Sequence, residues 1–116
     1  MVPPTPARVE AFLKHTKRAP DEHIAILPQA NLAATPRNIA ANAVMAGCKP
    51  EYFTVVLNAI EAALIAEFNL HAVLATTNAV APVVMVTGPV ARAIGMNAKG
   101  NALGQGNRAN ATIGRA

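Results

Sequence analysis

Residues 95–110 read GMNAKGNALGQGNRAN, a run of glycine and amide side chains that leads into a helix start; we call it the Gly/Asn loop. Six of the seven glycines of the chain lie between Gly88 and Gly114. Glycine lets backbone N–H groups approach a ligand closely, and the first turn of a helix attracts negative charge. The sequence therefore predicts an anion-binding loop followed by a C-terminal helix over residues 107–116, beginning at Gly106 or Asn107.

The distribution of charge points to the same part of the chain. All six acidic residues lie at or before Glu67, where six basic residues balance them, so the formal charge of +4 belongs to residues 68–116. A cationic segment without carboxylates indicates an anionic partner, and Arg108 is placed to bind a carboxylate or phosphate in a bidentate manner. The basic residues of this segment are Arg92, Lys99, Arg108 and Arg115.

We predict a substrate site around the Gly/Asn loop, with a reactive group supplied from outside it. Residues expected to contact the small anionic substrate are Thr76, Asn101, Gly104, Gly106, Asn107, Arg108 and Asn110. His71 is a candidate general base. Cys48 is a candidate nucleophile because Lys49 and a helix start at Pro50 would lower its pKa, although a lone cysteine among alanines is often a small buried residue.

The sequence contains few motifs that indicate a cofactor or a cellular compartment. The glycine spacing matches neither the phosphate loop of nucleotide-binding proteins nor the dinucleotide fingerprint, so ATP and NAD are not predicted and the cofactor is unassigned. Three histidines and Cys48 lack a metal-ligand spacing, so we predict no protein-built metal site. With a single cysteine, no signal peptide and no uninterrupted apolar span, a cytoplasmic location without membrane contact is expected.

Composition indicates one small domain, residues 1–116, that needs other protein around it. Apolar residues make up 53% of the chain and charged residues 14%, against about 45–50% and about 25% in ordinary soluble domains. So few charges leave apolar surface uncovered, which a subunit interface would bury. We therefore expect a homo-oligomer or a second protein chain to complete the fold.

The pattern of apolar residues predicts an α/β fold in three parts. Residues 1–34 form an arm with a helix at 7–18, a short helical turn at 23–27 capped by Asp21 and a connector at 29–34. Residues 35–67 form a helical hairpin, in which Thr35 and Pro36 begin the first helix, Gly47 ends it and Pro50 begins the second. Residues 68–116 contain buried strands at 70–76 and 83–87, a short helix at 90–94, the Gly/Asn loop and the C-terminal helix.

The hairpin also supports a competing interpretation. Ala43 and Gly47 have the spacing of a helix-turn-helix DNA reader. The second helix, however, presents Glu51, Glu61 and Glu67 and no Lys or Arg, whereas DNA binding requires several phosphate contacts. We favour an ordinary hairpin and do not expect a nucleic-acid partner; a non-catalytic assembly or helix-turn-helix module is the alternative function.

Residues 36–116 resemble the N-terminal segment of longer bacterial proteins associated with a downstream thiol/selenol segment, Sec/Cys-Gly-Ser-Cys (UGSC-type). The matching segments read NLH at 69–71, ATT at 75–77, VMVTGP at 84–89 and NALGQGNRANATIGRA at 101–116. The resemblance implies a lyase or redox-type enzyme in which this segment forms part of the active site. The chain has neither that segment nor a Cys-x2-Cys, so any redox centre would sit on a separate chain.

Overall fold

A computed structural model describes residues 1–27 and 32–116. Within those ranges the chain forms six α-helices and one two-stranded antiparallel sheet. The elements in chain order are α1 (Pro6–Leu13), β1 (Ala25–Leu27), β2 (Leu32–Ala34), α2 (Pro36–Ala46), α3 (Phe53–Ala63), α4 (Leu70–Ala75), α5 (Pro89–Ala93) and α6 (Arg108–Ile113). Short 3-10 turns at Pro50–Tyr52 and Ala66–Phe68 lead into α3 and α4.

The predicted helical hairpin is confirmed, with the predicted caps. The Thr35 Oγ1 accepts a hydrogen bond from the Asn38 backbone N–H at 3.2 Å, and Pro36 occupies the first turn of α2. Gly47 ends α2 with φ of +89°, a conformation that glycine adopts without strain. The Gly47 N–H donates to the Val44 carbonyl and the Cys48 N–H to the Ala43 carbonyl, which is the Schellman pattern of helix termination.

The core lies where α1, α2 and α3 pack together. Phe53 is completely buried, and its ring meets that of Phe12 edge-on with centroids 5.9 Å apart. Ala40 and Ala43 are also completely buried, and such small side chains let neighbouring helices approach closely. The C-terminal α6 joins this core through Ala109 and Ile113.

The N-terminal segment contains a hairpin where the sequence predicted a helical turn. The turn at residues 23–27 is wrong, because Ala25–Leu27 pairs antiparallel with Leu32–Ala34. Residues 29–31 of the predicted connector lie outside the described residues, and the rest of it is β2. Asp21 does not cap a helix; it accepts two hydrogen bonds from Arg37, at 2.8 and 3.0 Å.

The two buried strands predicted in the second half are wrong. Residues 70–75 form α4, and residues 80–87 contain no strand, turn or bend. The second segment is also exposed, with Val83 at 73% and Met85 at 83%. Short apolar runs do not distinguish a helix from a strand, and a strand needs a hydrogen-bonding partner that the described chain does not supply. The α/β description therefore holds only coarsely: helices dominate, with one small sheet.

The C-terminal third begins and ends with the predicted helices. Gly95, at φ of +69°, follows α5 and opens the Gly/Asn loop. The Asn107 Oδ1 accepts a hydrogen bond from the Asn110 N–H at 3.0 Å and so caps α6, which confirms the predicted helix start. The helix then runs for six residues, fewer than the ten predicted.

A helix that crosses a membrane must be both long enough and sufficiently apolar. No single helix in the described ranges meets both requirements. One pair bent by 75°, Pro50–Ala63 and Ala66–Ala75, meets them together by length and composition.

Candidate functional site

The helix α6 lies against the turn that follows α2. The Arg108 Nε donates a hydrogen bond to the Gly47 carbonyl at 2.9 Å, and the Cys48 Sγ donates to the Thr112 carbonyl at 3.4 Å. A Cβ atom on Gly47 would lie 3.7 Å from the Thr112 Cγ2, so the two segments are in van der Waals contact. The structure thus brings together two residues that the sequence predicted for the site, Arg108 and Cys48.

A pocket of about 290 Å³ opens beside this contact, between the N-terminal arm, α1, the turn after α2 and the start of α6. We call it the Arg8/Arg108 pocket. Its polar lining consists of Arg8, Arg108, the Cys48 thiol and Gly47; Phe12 and Val44 are among its apolar lining residues. None of the described residues that line it is acidic.

Both arginines of the pocket keep unused hydrogen-bond donors. The Arg8 Nη1 donates to the Pro3 carbonyl at 3.0 Å, and the Arg108 Nε donates to Gly47. Across residues 1–27 and 32–116, neither arginine forms an ion pair, whereas Arg37 is paired with a carboxylate. A guanidinium carries five N–H donors, so two positively charged groups with free donors border one concavity.

The chemistry of Cys48 differs from the sequence prediction. Burial raises the pKa of the Cys48 thiol above its ordinary value, and the opposing effects of Thr112 and the Arg108 charge do not reverse this. The predicted lowering of this pKa is therefore wrong, because the thiol is only 6% exposed and the neutral form is favoured there. At neutral pH Cys48 is a protonated thiol, not a ready nucleophile.

The amides of the Gly/Asn loop are engaged in hydrogen bonds within the loop. The Asn110 Oδ1 accepts from the Asn97 N–H at 2.9 Å. Its Nδ2 donates to the carbonyls of Asn97 and Ala102, at 2.8 and 2.9 Å. The Asn107 Nδ2 donates to the Gly95 carbonyl at 2.8 Å. These bonds attach both ends of the loop to α6 and thereby hold the helix that begins with Arg108.

The remaining predicted loop residues shape its tip. The Asn101 Nδ2 donates to the Gln105 carbonyl at 2.9 Å. A Cβ atom on Gly104 would fall 1.8 Å from the Asn101 Oδ1, so any other residue at this position would displace the Asn101 side chain. Gly106 has φ of +125°, which other residues rarely adopt. Contact of these residues with substrate stays a prediction.

His71 and Thr76 lie apart from the Arg8/Arg108 pocket. His71 is exposed on α4, not at a helix-to-strand junction as predicted. The Thr76 Oγ1 accepts a hydrogen bond from the Asn78 N–H at 3.2 Å, also at an exposed position. Neither residue lines the pocket, so the structure does not unite them with Cys48 and Arg108.

Sequence reasoning missed Arg8. This residue belongs to the half of the chain in which acidic and basic residues are equal in number, so the charge count gave no reason to single it out. Arg8 lies on α1, and it borders the same pocket as Arg108 because α1 and α6 both pack against α2.

Over the described ranges, no group of three or more His, Cys, Asp or Glu side chains is arranged to hold a metal ion. No family model, curated protein or solved structure matches the chain. The resemblance to the Sec/Cys-Gly-Ser-Cys proteins stays a prediction.

Proposed function

We propose that the chain binds a small carboxylate or phosphate in the Arg8/Arg108 pocket, as a subunit or half-site of an oligomeric cytoplasmic enzyme of lyase or redox type. One observation carries the binding part: two arginines that form no ion pair within the described residues line a pocket, and none of its described lining residues is acidic. Hydrogen bonds between guanidinium groups and anions are among the strong ones in proteins, because charge assists them.

The size and charge of the pocket suit a small anion. Its volume of about 290 Å³ is at the lower end of the range of small-molecule sites. Two guanidinium groups with unused donors line the same concavity, so a bound anion can accept hydrogen bonds from both. Arg108 is held in orientation by Gly47, which lowers the entropy lost on binding.

The Gly/Asn loop supports this site by fixing the start of α6. Asn107 caps that helix, and the side chains of Asn107 and Asn110 tie the loop to it, so Arg108 emerges from a constrained position. A site built on constrained groups keeps its geometry when the ligand arrives. In this proposal the loop positions Arg108, and Arg108 contacts the anion.

The catalytic part of the proposal rests on Cys48 and on the family resemblance. In this proposal Cys48, a protonated thiol that lines the pocket, acts as a proton donor to the bound substrate and not as a nucleophile. A redox reaction would need a second redox group besides Cys48, such as the thiol/selenol segment that the resemblance implies. His71 is a less suitable reactive group, because it lies outside the pocket.

The DNA-binding alternative has less support. The segment formed by the 3-10 turn and α3 carries Glu51 and Glu61 and no Lys or Arg, and Glu61 is already paired with Arg18. We expect no salt-sensitive band shift of generic duplex DNA at low ionic strength. A strong shift that disappears as salt is added would favour the helix-turn-helix module.

Calorimetric titration with inorganic phosphate and with a small dicarboxylate tests the binding site. Replacing Arg8→Gln or Arg108→Gln should weaken binding by roughly tenfold or more, the effect of one charge-assisted hydrogen bond. Arg115→Gln is the matched control, since it removes the same charge from an exposed residue outside the pocket. Absence of binding to the unmodified chain, or an equal loss in the control, would contradict the proposal.

A further inference from the structure

The lining of the Arg8/Arg108 pocket is divided between charged and apolar side chains. Arg8 and Arg108 are exposed, whereas Phe12 and Val44 are only 4% and 3% exposed and form the inner wall. The apolar lining also includes three partly buried residues, Val2, Ala11 and Pro50. The pocket therefore has a cationic mouth and an apolar interior.

The polar groups of this lining are hydrogen-bond donors with almost no acceptor among them. A guanidinium group only donates, and no described lining residue has an oxygen or an amide in its side chain. The Cys48 Sγ is already bonded to the Thr112 carbonyl, and the Gly47 carbonyl already accepts from Arg108. A hydroxyl or ammonium group of a ligand would therefore lose its water in the interior and find no acceptor side chain there, which is costly.

The pocket is larger than an anionic group alone requires. Its volume is about 290 Å³, whereas a cavity of about 150 Å³ holds a benzene ring. Behind a carboxylate at the mouth there is room for a branched chain or a single ring. Water in this apolar interior would have few polar partners, so a hydrocarbon group that displaces it strengthens binding.

We propose that the pocket binds a small apolar monocarboxylate, with its carboxylate between Arg8 and Arg108 and its hydrocarbon body against Phe12 and Val44. This inference rests on the proposed function, because it assigns a substrate class to the same site. The carboxylate accepts charge-assisted hydrogen bonds at the mouth, and each CH₂ group buried in the interior strengthens binding about fourfold. Amino acids, hydroxy acids and sugar phosphates bind less tightly, because their additional polar groups find no acceptor.

Titration of the full chain with acetate, isovalerate and L-valine, followed through the NMR amide shifts of Gly47 and Cys48, tests the substrate class. Isovalerate adds three carbon atoms to acetate and should bind roughly tenfold more tightly or better. L-Valine differs from isovalerate only by an ammonium group, which has the same charge as the two guanidinium groups. It should bind at least about tenfold more weakly than isovalerate.

Val2→Ser tests the apolar part of the lining without disturbing the buried core. It should weaken isovalerate binding by roughly threefold or more and leave acetate binding nearly unchanged. Val80→Ser is the matched control, since Val80 is 54% exposed and does not line this pocket. An equal loss of isovalerate binding in both variants would contradict the apolar contact.

Titration with inorganic phosphate separates this inference from the proposed function. If phosphate binds and Arg8→Gln weakens it, while isovalerate binds no more tightly than acetate or L-valine, the apolar substrate class is overturned and the anion site stands. If neither phosphate nor any of the carboxylates binds, both proposals are refuted.

Discussion

The Arg108 Nε lies 2.9 Å from the Gly47 carbonyl oxygen, so the first residue of α6 caps the C-terminal end of α2. The last carbonyls of a helix have no partner within it, and a positive charge there is favourable. One guanidinium thereby connects two elements that are 61 positions apart in sequence. Arg108 has a structural task in addition to the proposed ligand contact.

Arg108→Ala should lower the free energy of unfolding by about 1–2 kcal/mol, the contribution of one hydrogen bond with a charged donor at a helix end. Urea denaturation monitored by circular dichroism measures the change. Arg115→Ala serves as the control and should stay within about 0.5 kcal/mol of the unmodified chain. Equal stability of the two variants would show that the contact with Gly47 contributes nothing.

Cys48 should react slowly with alkylating reagents in the folded protein at neutral pH, because burial keeps its thiol protonated and covered. The rate should continue to rise with pH beyond the ordinary thiol value of 9.0, because the fraction of thiolate levels off only above the raised pKa. Mass spectrometry after timed alkylation follows the reaction, with the urea-unfolded chain as reference. Labelling at neutral pH as fast as in urea would contradict the raised pKa.

The same thiol should make stability fall at alkaline pH. A pKa that is higher in the folded than in the unfolded chain contributes stability below the unfolded value, and that contribution is lost as the pH rises through the folded value. Cys48→Ala should therefore show a smaller loss of denaturation midpoint above pH 9.0 than the unmodified chain. An identical alkaline slope in both proteins would exclude Cys48 as its source.

Asp21 should make the stability of the fold decrease at acid pH. The hydrogen bonds from Arg37 hold the pKa of the Asp21 carboxyl below its ordinary value of 3.8. The stability contributed by this pair is present above pH 3.8 and is lost as the pH falls through the lower folded value. In Asp21→Asn the denaturation midpoint should decrease less as the pH is lowered, and Arg37→Gln should reduce this decrease equally. A slope unchanged in both variants would contradict the coupling.

Asn110→Ala should loosen the Gly/Asn loop, since it removes an acceptor for the Asn97 N–H and two donors to loop carbonyls. Three net hydrogen bonds correspond to about 2–4 kcal/mol of stability. Hydrogen exchange of the Asn97 amide should accelerate together with that of α6. Asn42→Ala, which removes one exposed side-chain bond, is the control. Unchanged exchange of the Asn97 amide would contradict the role of Asn110.

The sequence predicted those parts of the fold that local chemistry determines. Thr35, Gly47 and Asn107 mark helix ends through their own side chains or dihedral angles, and all three do so in the structure. The β1–β2 pairing and the conformation of residues 80–87 depend on partners that no local pattern names, and both were predicted incorrectly.

In the candidate site, too, some features follow from local sequence and others depend on how the chain packs. Charge counting pointed to Arg108, because residues 68–116 contain no Asp or Glu to neutralise it. Arg8 comes from a balanced half and reaches the pocket only through the packing of α1 against α2. The pKa of Cys48 depends on burial, which the nearby Lys49 and helix start did not reveal.

Phosphate titration of the isotope-labelled chain, followed by two-dimensional NMR of its amide and guanidinium N–H groups, tests the central claim most directly. We expect the largest shifts at Gly47, Cys48 and the Nε groups of Arg8 and Arg108, because these border the pocket. Shifts confined to the amides of Asn101, Gly104 and Gly106, or no shifts at all, would contradict binding between the two arginines.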